Sequence, residues 1–279
     1  MRRLIKILIV TLFTITISNV YAFSDPITVE INGNSVLVKN NDDLNIIGSN
    51  YVSYDGSKLT INEGTTIKKL KVDKSIEITS NNKEVILGEV VHTNNNLITI
   101  TYNNLNSVQS EISFNASSSN TYHIITNSTI NNYLYVNGYV DKSDDGYGLI
   151  IKDSIIDCNS KYAEQYVYGA ILVENTKYNG GPFHSEHNTI TFKDSDITSR
   201  GYMYIEPPEG AFYIYNSKVT SVDSSEITIY VSVDNVENND LVVVDDSDLT
   251  NVFIRNNQNN KTRIVNSNFI NTSSNTMEL

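Results

Sequence analysis

The chain contains little of what stabilises small exported proteins covalently or attaches a protein to nucleic acid. Cys158 is the single cysteine among 279 residues, so no internal disulfide can form. Tryptophan is absent, and lysine and arginine total only 20 against 32 acids, without any cluster of cations. Because nothing would neutralise phosphates, we expect neither nucleic acid nor anionic membrane as a partner. Stability must come from a core, in which Cys158 is predicted to be a small buried residue.

Segments with a helical apolar period are also missing. Only four prolines interrupt the chain, and from Ile27 onward alternating runs of Val, Ile, Thr and Tyr are separated by Asn, Asp, Ser and Gly. Such runs are typical of strands, and the separating residues are typical of turns. The composition therefore predicts an all-β protein.

The first 22 residues carry a pattern of a different kind. Arg2, Arg3 and Lys6 accompany an apolar run, Leu4–Ile17, which is followed by Val20-Tyr21-Ala22. This arrangement predicts a signal peptide over residues 1–22, and removal of its three positive charges would change the net charge from −12 to −15. The apolar run is short and contains threonines, so we expect no membrane span in the mature chain. The predicted location is secreted, at the cell surface or in the periplasm.

One short phrase recurs seven times between His123 and Asn271: apolar, any, apolar, any, Asn or Asp, Ser or Thr, any, apolar. Its hydroxyl positions are spaced by 26, 22, 19, 22, 30 and 20 residues, which is typical of a stacked solenoid. Asn and Asp suit tight corners because they tolerate left-handed backbone angles. The predicted corner residues are Asn127, Asp153, Asn175, Asp194, Asn216, Asp246 and Asn266.

The phrase also predicts which side chains face the core. Its first two apolar positions lie two residues apart on a strand, so both point to the same side, and the Asn or Asp two residues further is expected to continue inward. On this basis Asn127 is predicted to be buried. Amide and carboxylate alternate along the seven corners, so no two carboxylates would be adjacent in a stack. Our hypothesis is that this order avoids repulsion between like charges.

With one corner for each turn of about twenty residues, the repeat resembles the right-handed parallel β-helix of the pectate-lyase-like class. The corner residues carry the resemblance, because they look like the internal asparagine ladder of that class. The resemblance covers residues 122–271 and implies a parallel β-helix over residues 121–279, while residues 23–120 are predicted to form degenerate coils or an irregular β cap. Lyases, hydrolases, adhesins and phage proteins share this fold, so it implies no single function.

Enzymes of the resembled class use carboxylates with calcium and a basic residue, or several aspartates on neighbouring coils. A carbohydrate-active enzyme, whether lyase or hydrolase, would need Asp245, Asp248 and Arg255 to face one groove with other acids. The chain lacks the Gly-His-Gly segment of the class. We assign no catalytic residue and keep an enzyme as the alternative function. The acids are densest at Asp194, Asp196, Asp245, Asp246 and Asp248.

Two segments contain residue types that bind metals. Asp141–Gly146 resembles the first half of a calcium loop, but Lys152 stands where a bidentate acid is expected. His184-Ser185-Glu186-His187 offers two histidines and a glutamate, yet positions three apart converge only in a helical or tight turn. We expect both segments to be exposed polar loops and predict no cofactor, with a weak extracellular calcium site left open.

Tyrosine is abundant, with eighteen residues, and often occurs in pairs at alternate positions. Tyr213 and Tyr215 flank the inward Ile214 and should point outward, and Tyr202 and Tyr204 form a similar pair. Outward rings on successive coils are predicted to form an aromatic strip suited to sugars or protein partners, although tyrosine also simply suits exposed strands. We therefore expect a non-catalytic secreted or surface-associated protein, adhesin-like or structural, that binds a glycan or a surface protein. A scaffold that pairs through an open strand edge is a third alternative.

Overall fold

The computed structural model describes the backbone of residues 27–31 and 34–38, and beyond these residues 51–114, 121–138, 147–158, 163–186, 188–206, 210–222, 227–231, 240–256 and 261–270. The predicted signal peptide, the predicted calcium loop and His187 lie outside these residues. The described residues contain strands and turns but no helix, and hence no helix that would be long and apolar enough to cross a membrane. The all-β prediction is confirmed.

The described residues form thirty strands. In chain order they are β1 Ile27–Ile31, β2 Asn34–Val38, β3 Val52–Tyr54, β4 Lys58–Ile61, β5 Thr66–Val72, β6 Ile76–Thr79, β7 Glu84–His92, β8 Ile98–Asn103, β9 Asn106–Ser107, β10 Ile112–Phe114, β11 Thr121–Thr126, β12 Thr129–Asn131, β13 Leu134–Gly138, β14 Tyr147–Lys152, β15 Ile155–Asp157, β16 Gln165–Tyr168, β17 Ala170–Glu174, β18 Lys177–Asn179, β19 Phe183–Glu186, β20 Ile190–Lys193, β21 Asp196–Ser199, β22 Gly201–Glu206, β23 Phe212–Tyr215, β24 Lys218–Ser221, β25 Ile227–Val231, β26 Asp240–Asp245, β27 Asp248–Thr250, β28 Val252–Asn256, β29 Lys261–Val265 and β30 Asn268–Ile270.

Most of the strands stack in three parallel rows, and from β8 onward each described coil contributes one strand to a row. The first row contains β4, β6, β8, β11, β14, β17, β20, β23, β26 and β29. The second row runs from β9 through β12, β15, β18, β21, β24 and β27 to β30. The third row runs from β10 through β13, β16, β19, β22 and β25 to β28. This architecture is a parallel β-helix, as the repeat predicted.

The core is a set of columns in which equivalent residues of successive coils lie above one another. One column of the first row contains Ile125, Ile151, Val173, Phe192 and Ile214, all fully buried. The outward neighbours of these residues are partly exposed, as alternation along a strand requires. Cys158 is also buried, as predicted, and burial raises the pKa of its thiol to about 12.

The seven predicted corner residues all adopt left-handed backbone angles, with φ between 44° and 51°. The prediction that their side chains face the core is wrong, because all seven, including Asn127, are exposed. The physical reason is that alternation holds only for an extended chain, and a left-handed residue bends the chain and restarts the alternation. The Asn and Asp ladder therefore lies on the outside of the helix.

The Ser or Thr after each corner faces inward instead and forms its own ladder of hydrogen bonds. The N–H of Ser154 donates to Oγ1 of Thr176 at 3.3 Å, and the N–H of Thr176 donates to Oγ of Ser195 at 3.2 Å. The hydroxyl of Ser195 in turn donates to the carbonyl of Lys193 at 2.7 Å. The same link from backbone N–H to hydroxyl continues from Ser195 to Ser217, Ser247 and Ser267.

Strands upstream of residue 121 pair in both directions. β1 pairs antiparallel with β2 and β5, and β3 pairs antiparallel with β4. From β4 onward, however, β6, β8 and β11 follow in parallel within the first row. Asn104, before β9, has a left-handed φ of 52° although Leu105 replaces the usual hydroxyl residue. The division into domains at residues 23–120 and 121–279 stays a prediction.

Candidate functional site

The four tyrosines predicted to bind a partner lie on two different rows. Tyr202 and Tyr204 belong to β22 in the third row, whereas Tyr213 and Tyr215 belong to β23 in the first row. All four point away from the core, but they do not form the single strip that the sequence suggested. Within each strand the two tyrosines occupy alternate positions and therefore point to the same side. The chain passes from the third row to the first row between β22 and β23, so the two pairs lie on different outer sides of the helix.

An aromatic column runs along the outside of the third row. It consists of Tyr166, His184, Tyr204 and Tyr230, which occupy equivalent positions on four successive coils. The ring centroids are 4.4 Å apart between the first two, 5.0 Å between His184 and Tyr204, and 5.0 Å between Tyr204 and Tyr230. The guanidinium of Arg255 extends the column on the next coil, 5.8 Å from the Tyr230 centroid.

The rings of the aromatic column contact one another in two geometries. Tyr204 and Tyr230 are stacked with an angle of 14° between their planes, while His184 meets the ring of Tyr204 edge to face at 80°. Both geometries are favoured by the charge distribution of aromatic rings. The strand spacing of a parallel stack, about 4.8 Å, brings equivalent rings to these distances without adjustment.

A flanking column lies two residues earlier on the same strands. It consists of Tyr202 on β22, Thr228 on β25 and Phe253 on β28. Tyr202 is 67% exposed, the largest exposure among the exposed large hydrophobic side chains of the described residues. We call the aromatic column, Arg255 and this flanking column together the tyrosine face. The tyrosine pairs in the sequence did not reveal this surface as one unit.

His184 lies in the tyrosine face. The predicted polar loop around it is strand β19, in which Ser185 and Phe183 are buried and His184 faces outward. Nδ1 of His184 lies 3.0 Å from Oε1 of Glu164. Among the described residues, no three His, Cys, Asp or Glu side chains come together as a metal site.

The predicted acidic cluster is divided among the rows. Asp245 ends β26 in the first row, Asp248 begins β27 in the second row, and Arg255 lies on β28 in the third row. The three residues that an enzyme would need in one groove therefore point outward from three different strands of one coil. Their separation follows from the corner at Asp246 and from the short second-row strand.

A shallow groove at the corners is lined by four of the predicted acids. Its lining includes Asp194, Asp196, Asp246 and Asp248, together with the cation Lys218. Lys218 lies between Asp196 and Asp248 in the register of the second row, so positive and negative charges alternate there. The amide of Asn216 donates to Oδ1 of Asp194 at 2.7 Å. Opposite charges and amides compensate these acids locally.

Tyr213 and Tyr215 lie beside an ion-pair column of the first row. Their ring centroids are 5.9 Å apart, and partial burial, followed by the neighbouring Tyr213, raises the pKa of Tyr215. On preceding coils Nζ of Lys152 and Nζ of Lys193 contact the two carboxylate oxygens of Glu174 at 3.0 and 2.7 Å. The hydrogen bond from Lys193 is the main cause that lowers the pKa of Glu174.

Comparison with known proteins adds no relative: no protein-family model, no curated protein and no solved structure matches this chain. Fold and site together define the class as a parallel β-helix repeat protein with an outward aromatic face. The narrower resemblance to the pectate-lyase-like class stays a prediction.

Proposed function

We propose that the protein is a secreted or surface-associated, non-catalytic binding rod that contacts a glycan or a surface protein through the tyrosine face. The observation that supports this most strongly is the continuous series of outward rings on four coils, ending in Arg255. Tyrosine and arginine provide large contact area with polar groups at the edge, and both are enriched where proteins bind partners.

Ring stacking alone does not account for the whole tyrosine face. Contacts within the aromatic column stabilise neighbouring coils, each by about 0.5–1.5 kcal/mol at most. Tyr202 lies outside that column and exposes two thirds of its surface, so it gains little from stacking. An exposed ring beside other rings is the arrangement expected of a contact surface.

A carbohydrate-active enzyme is supported less well. Inverting or retaining hydrolysis needs two carboxyl groups facing one bond, about 5–9.5 Å apart. Asp245 and Asp248 lie on different rows, on either side of the corner at Asp246. The acids of the corner groove are offset by Lys218 and by the amide of Asn216.

Two matched double variants test the proposed function. Tyr202→Ala with Tyr204→Ala removes outward rings from the third row, and Tyr213→Ala with Tyr215→Ala removes two from the first row as the control. Binding of each purified protein to immobilised neutral and acidic polysaccharides and to extracellular-matrix proteins is measured by biolayer interferometry. We expect the first variant to lose at least tenfold in affinity and the control to bind like the wild type.

Equal losses of affinity in both variants would contradict a binding role of the tyrosine face. Absence of binding by the wild type and by both variants would contradict it as well. Size-exclusion chromatography of the same polysaccharides after incubation with protein and calcium tests the enzyme alternative. A fall in polymer size would replace the binding proposal with a catalytic one.

A further inference from the structure

The flanking column contains a gap between two aromatic side chains. Tyr202 and Phe253 stand two coils apart in register, and the residue between them, Thr228, has a short side chain. Two strand spacings separate the backbone positions of Tyr202 and Phe253 by roughly 9.6 Å. Thr228 therefore forms the floor of a notch. The side chains of Tyr202 and Phe253 are its two walls along the axis of the rod.

The width of this notch selects the thickness of what can enter. Van der Waals contact with a ring on each side needs about 7–8 Å for a flat aromatic guest. The spacing leaves roughly 1.6–2.6 Å more than a flat guest needs, which is room for a thicker guest such as a saturated six-membered ring with its axial hydrogens. A pyranose fits this description and presents C–H groups on its faces to aromatic walls.

Polar groups lie along one side of the notch. In the adjacent column, Tyr204 lies on the same strand as Tyr202, and Tyr230 lies on the same strand as Thr228. Arg255 lies on the same strand as Phe253. The phenol hydroxyls and the hydroxyl of Thr228 can donate to or accept from the hydroxyl groups that project from a sugar ring, and the guanidinium can donate to them. Apolar walls with polar groups at one edge are typical of sites for small polar ligands.

The charge of the protein limits the kind of sugar. The chain carries 32 acidic residues against 20 basic ones, a net charge of −12, and Arg255 is the cation of this face. A polyanionic chain would be repelled over its length by this net charge, which the guanidinium of Arg255 offsets only locally. A neutral chain meets no such barrier.

We propose that the notch over Thr228 binds one pyranose residue of a neutral, linear glycan that lies along the tyrosine face. This inference rests on the proposed function and narrows its ligand from glycan or protein to a neutral glycan. The aromatic column beside the notch then contacts the sugars that precede and follow the bound residue.

The test fills or opens the notch without changing the core. Thr228→Tyr fills the gap, Thr228→Ser keeps it open, and Tyr202→Ala removes one wall; both positions face outward. Cellohexaose, xylohexaose and maltohexaose serve as neutral probes and hexagalacturonate as the anionic one, with affinities measured by isothermal titration calorimetry. Circular dichroism and melting temperature check that each variant is folded.

We expect at least one neutral hexasaccharide to bind wild type and Thr228→Ser equally and to lose tenfold or more in affinity for Thr228→Tyr and Tyr202→Ala. Unchanged binding of that sugar by Thr228→Tyr would overturn the notch while leaving the proposed function intact. Preference for hexagalacturonate, or binding of a matrix protein but of no sugar, would overturn the inference in favour of another ligand. Binding of nothing in either panel would overturn both.

Discussion

At His123 the fold places an imidazole where the next coils place aliphatic side chains. His123 is fully buried, and Leu149 and Ile171 follow it in the same inward column. Its ring packs edge to face against Phe114 with centroids 4.3 Å apart, and within the described residues neither ring nitrogen has a hydrogen-bond partner. Burial, with a smaller contribution from His92, lowers the pKa of His123 to about 3.

We expect this buried imidazole to make the protein sensitive to mild acid. Between the ordinary histidine pKa of 6.5 and about 3, the unfolded chain binds a proton at His123 that the folded chain does not. The free energy of unfolding therefore falls as pH decreases below 6.5, with a slope that approaches about 1.4 kcal/mol for each pH unit. We expect a loss of about 1.6 kcal/mol from this residue between pH 6.5 and 5, measured by urea denaturation.

His123→Leu is the control, since leucine matches the residue of the next coil. Its stability should change less between pH 6.5 and 5 than that of the wild type, with a residual slope from His92, whose pKa burial also lowers. Parallel stability curves for the two proteins would show that His123 is not the acid-sensitive group.

Side-chain direction at the corners shows what single residues in the sequence can predict. Left-handed angles at Asn127 or Asp246 follow from residue type, because Asn and Asp adopt them at lower cost than other side chains. Their outward direction does not follow from counting alternate positions, since the left-handed residue itself interrupts the count. The inward hydroxyl of the next residue was consequently missed, although a Ser or Thr in all seven phrases was the signal for it.

At the scale of elements, the outer ladder links successive corners through amide and carboxylate groups. The amide of Asn175 donates to Oδ1 of Asp153 at 2.6 Å, and that of Asn216 donates to Oδ1 of Asp194 at 2.7 Å. In both pairs the asparagine contacts the acid of the preceding coil. Alternation of amide and acid thus supplies donors to carboxylates that would otherwise be stacked on carboxylates.

Asn175→Asp should destabilise the protein near neutral pH. The substitution removes the donor to Asp153 and creates a run of three acids with Asp194, in which neighbours about 4.8 Å apart repel by roughly 1 kcal/mol in water. Asp194→Asn is the control, because it leaves an oxygen acceptor for Asn216 and creates a run of amides. We expect a lower melting temperature only for Asn175→Asp, with the difference reduced in 1 M salt. Equal melting temperatures at low salt would remove electrostatics as the reason for the alternation.

The tyrosine face shows where prediction from sequence stops at this scale. The repeated phrase covers a first-row strand, its corner and the start of a second-row strand, so it predicts those two rows with their register. Third-row strands lie outside the phrase, and Tyr166, His184, Tyr204 and Tyr230 follow one another at intervals of 18, 20 and 26 residues. Loop lengths between rows decide whether such residues align, and no local pattern encodes them. Tyrosine pairs at alternate positions indicated outward rings but not their common column.

At the scale of the whole molecule, a solenoid is stabilised coil by coil, because each coil contacts only its neighbours. An inward residue with a coil on each side should therefore contribute more to the free energy of unfolding than an inward residue with a coil on one side only. Ile214 is fully buried between Phe192 and Val244, whereas Ile264, in the same column after Val244, is 36% exposed. Among the described strands, β29 pairs only with β26.

The two isoleucines of this column provide a matched measurement of that gradient. Ile214→Ala removes the same atoms as Ile264→Ala but leaves a cavity closed by coils on both sides, so we expect it to cost about 2–5 kcal/mol in unfolding free energy. Ile264→Ala should cost less than half as much, because part of its side chain is already in water. Hydrogen exchange should give the same order, with amides of β29 exchanging faster than those of β23. Similar costs for both substitutions would mean that further chain covers the last described coil in solution.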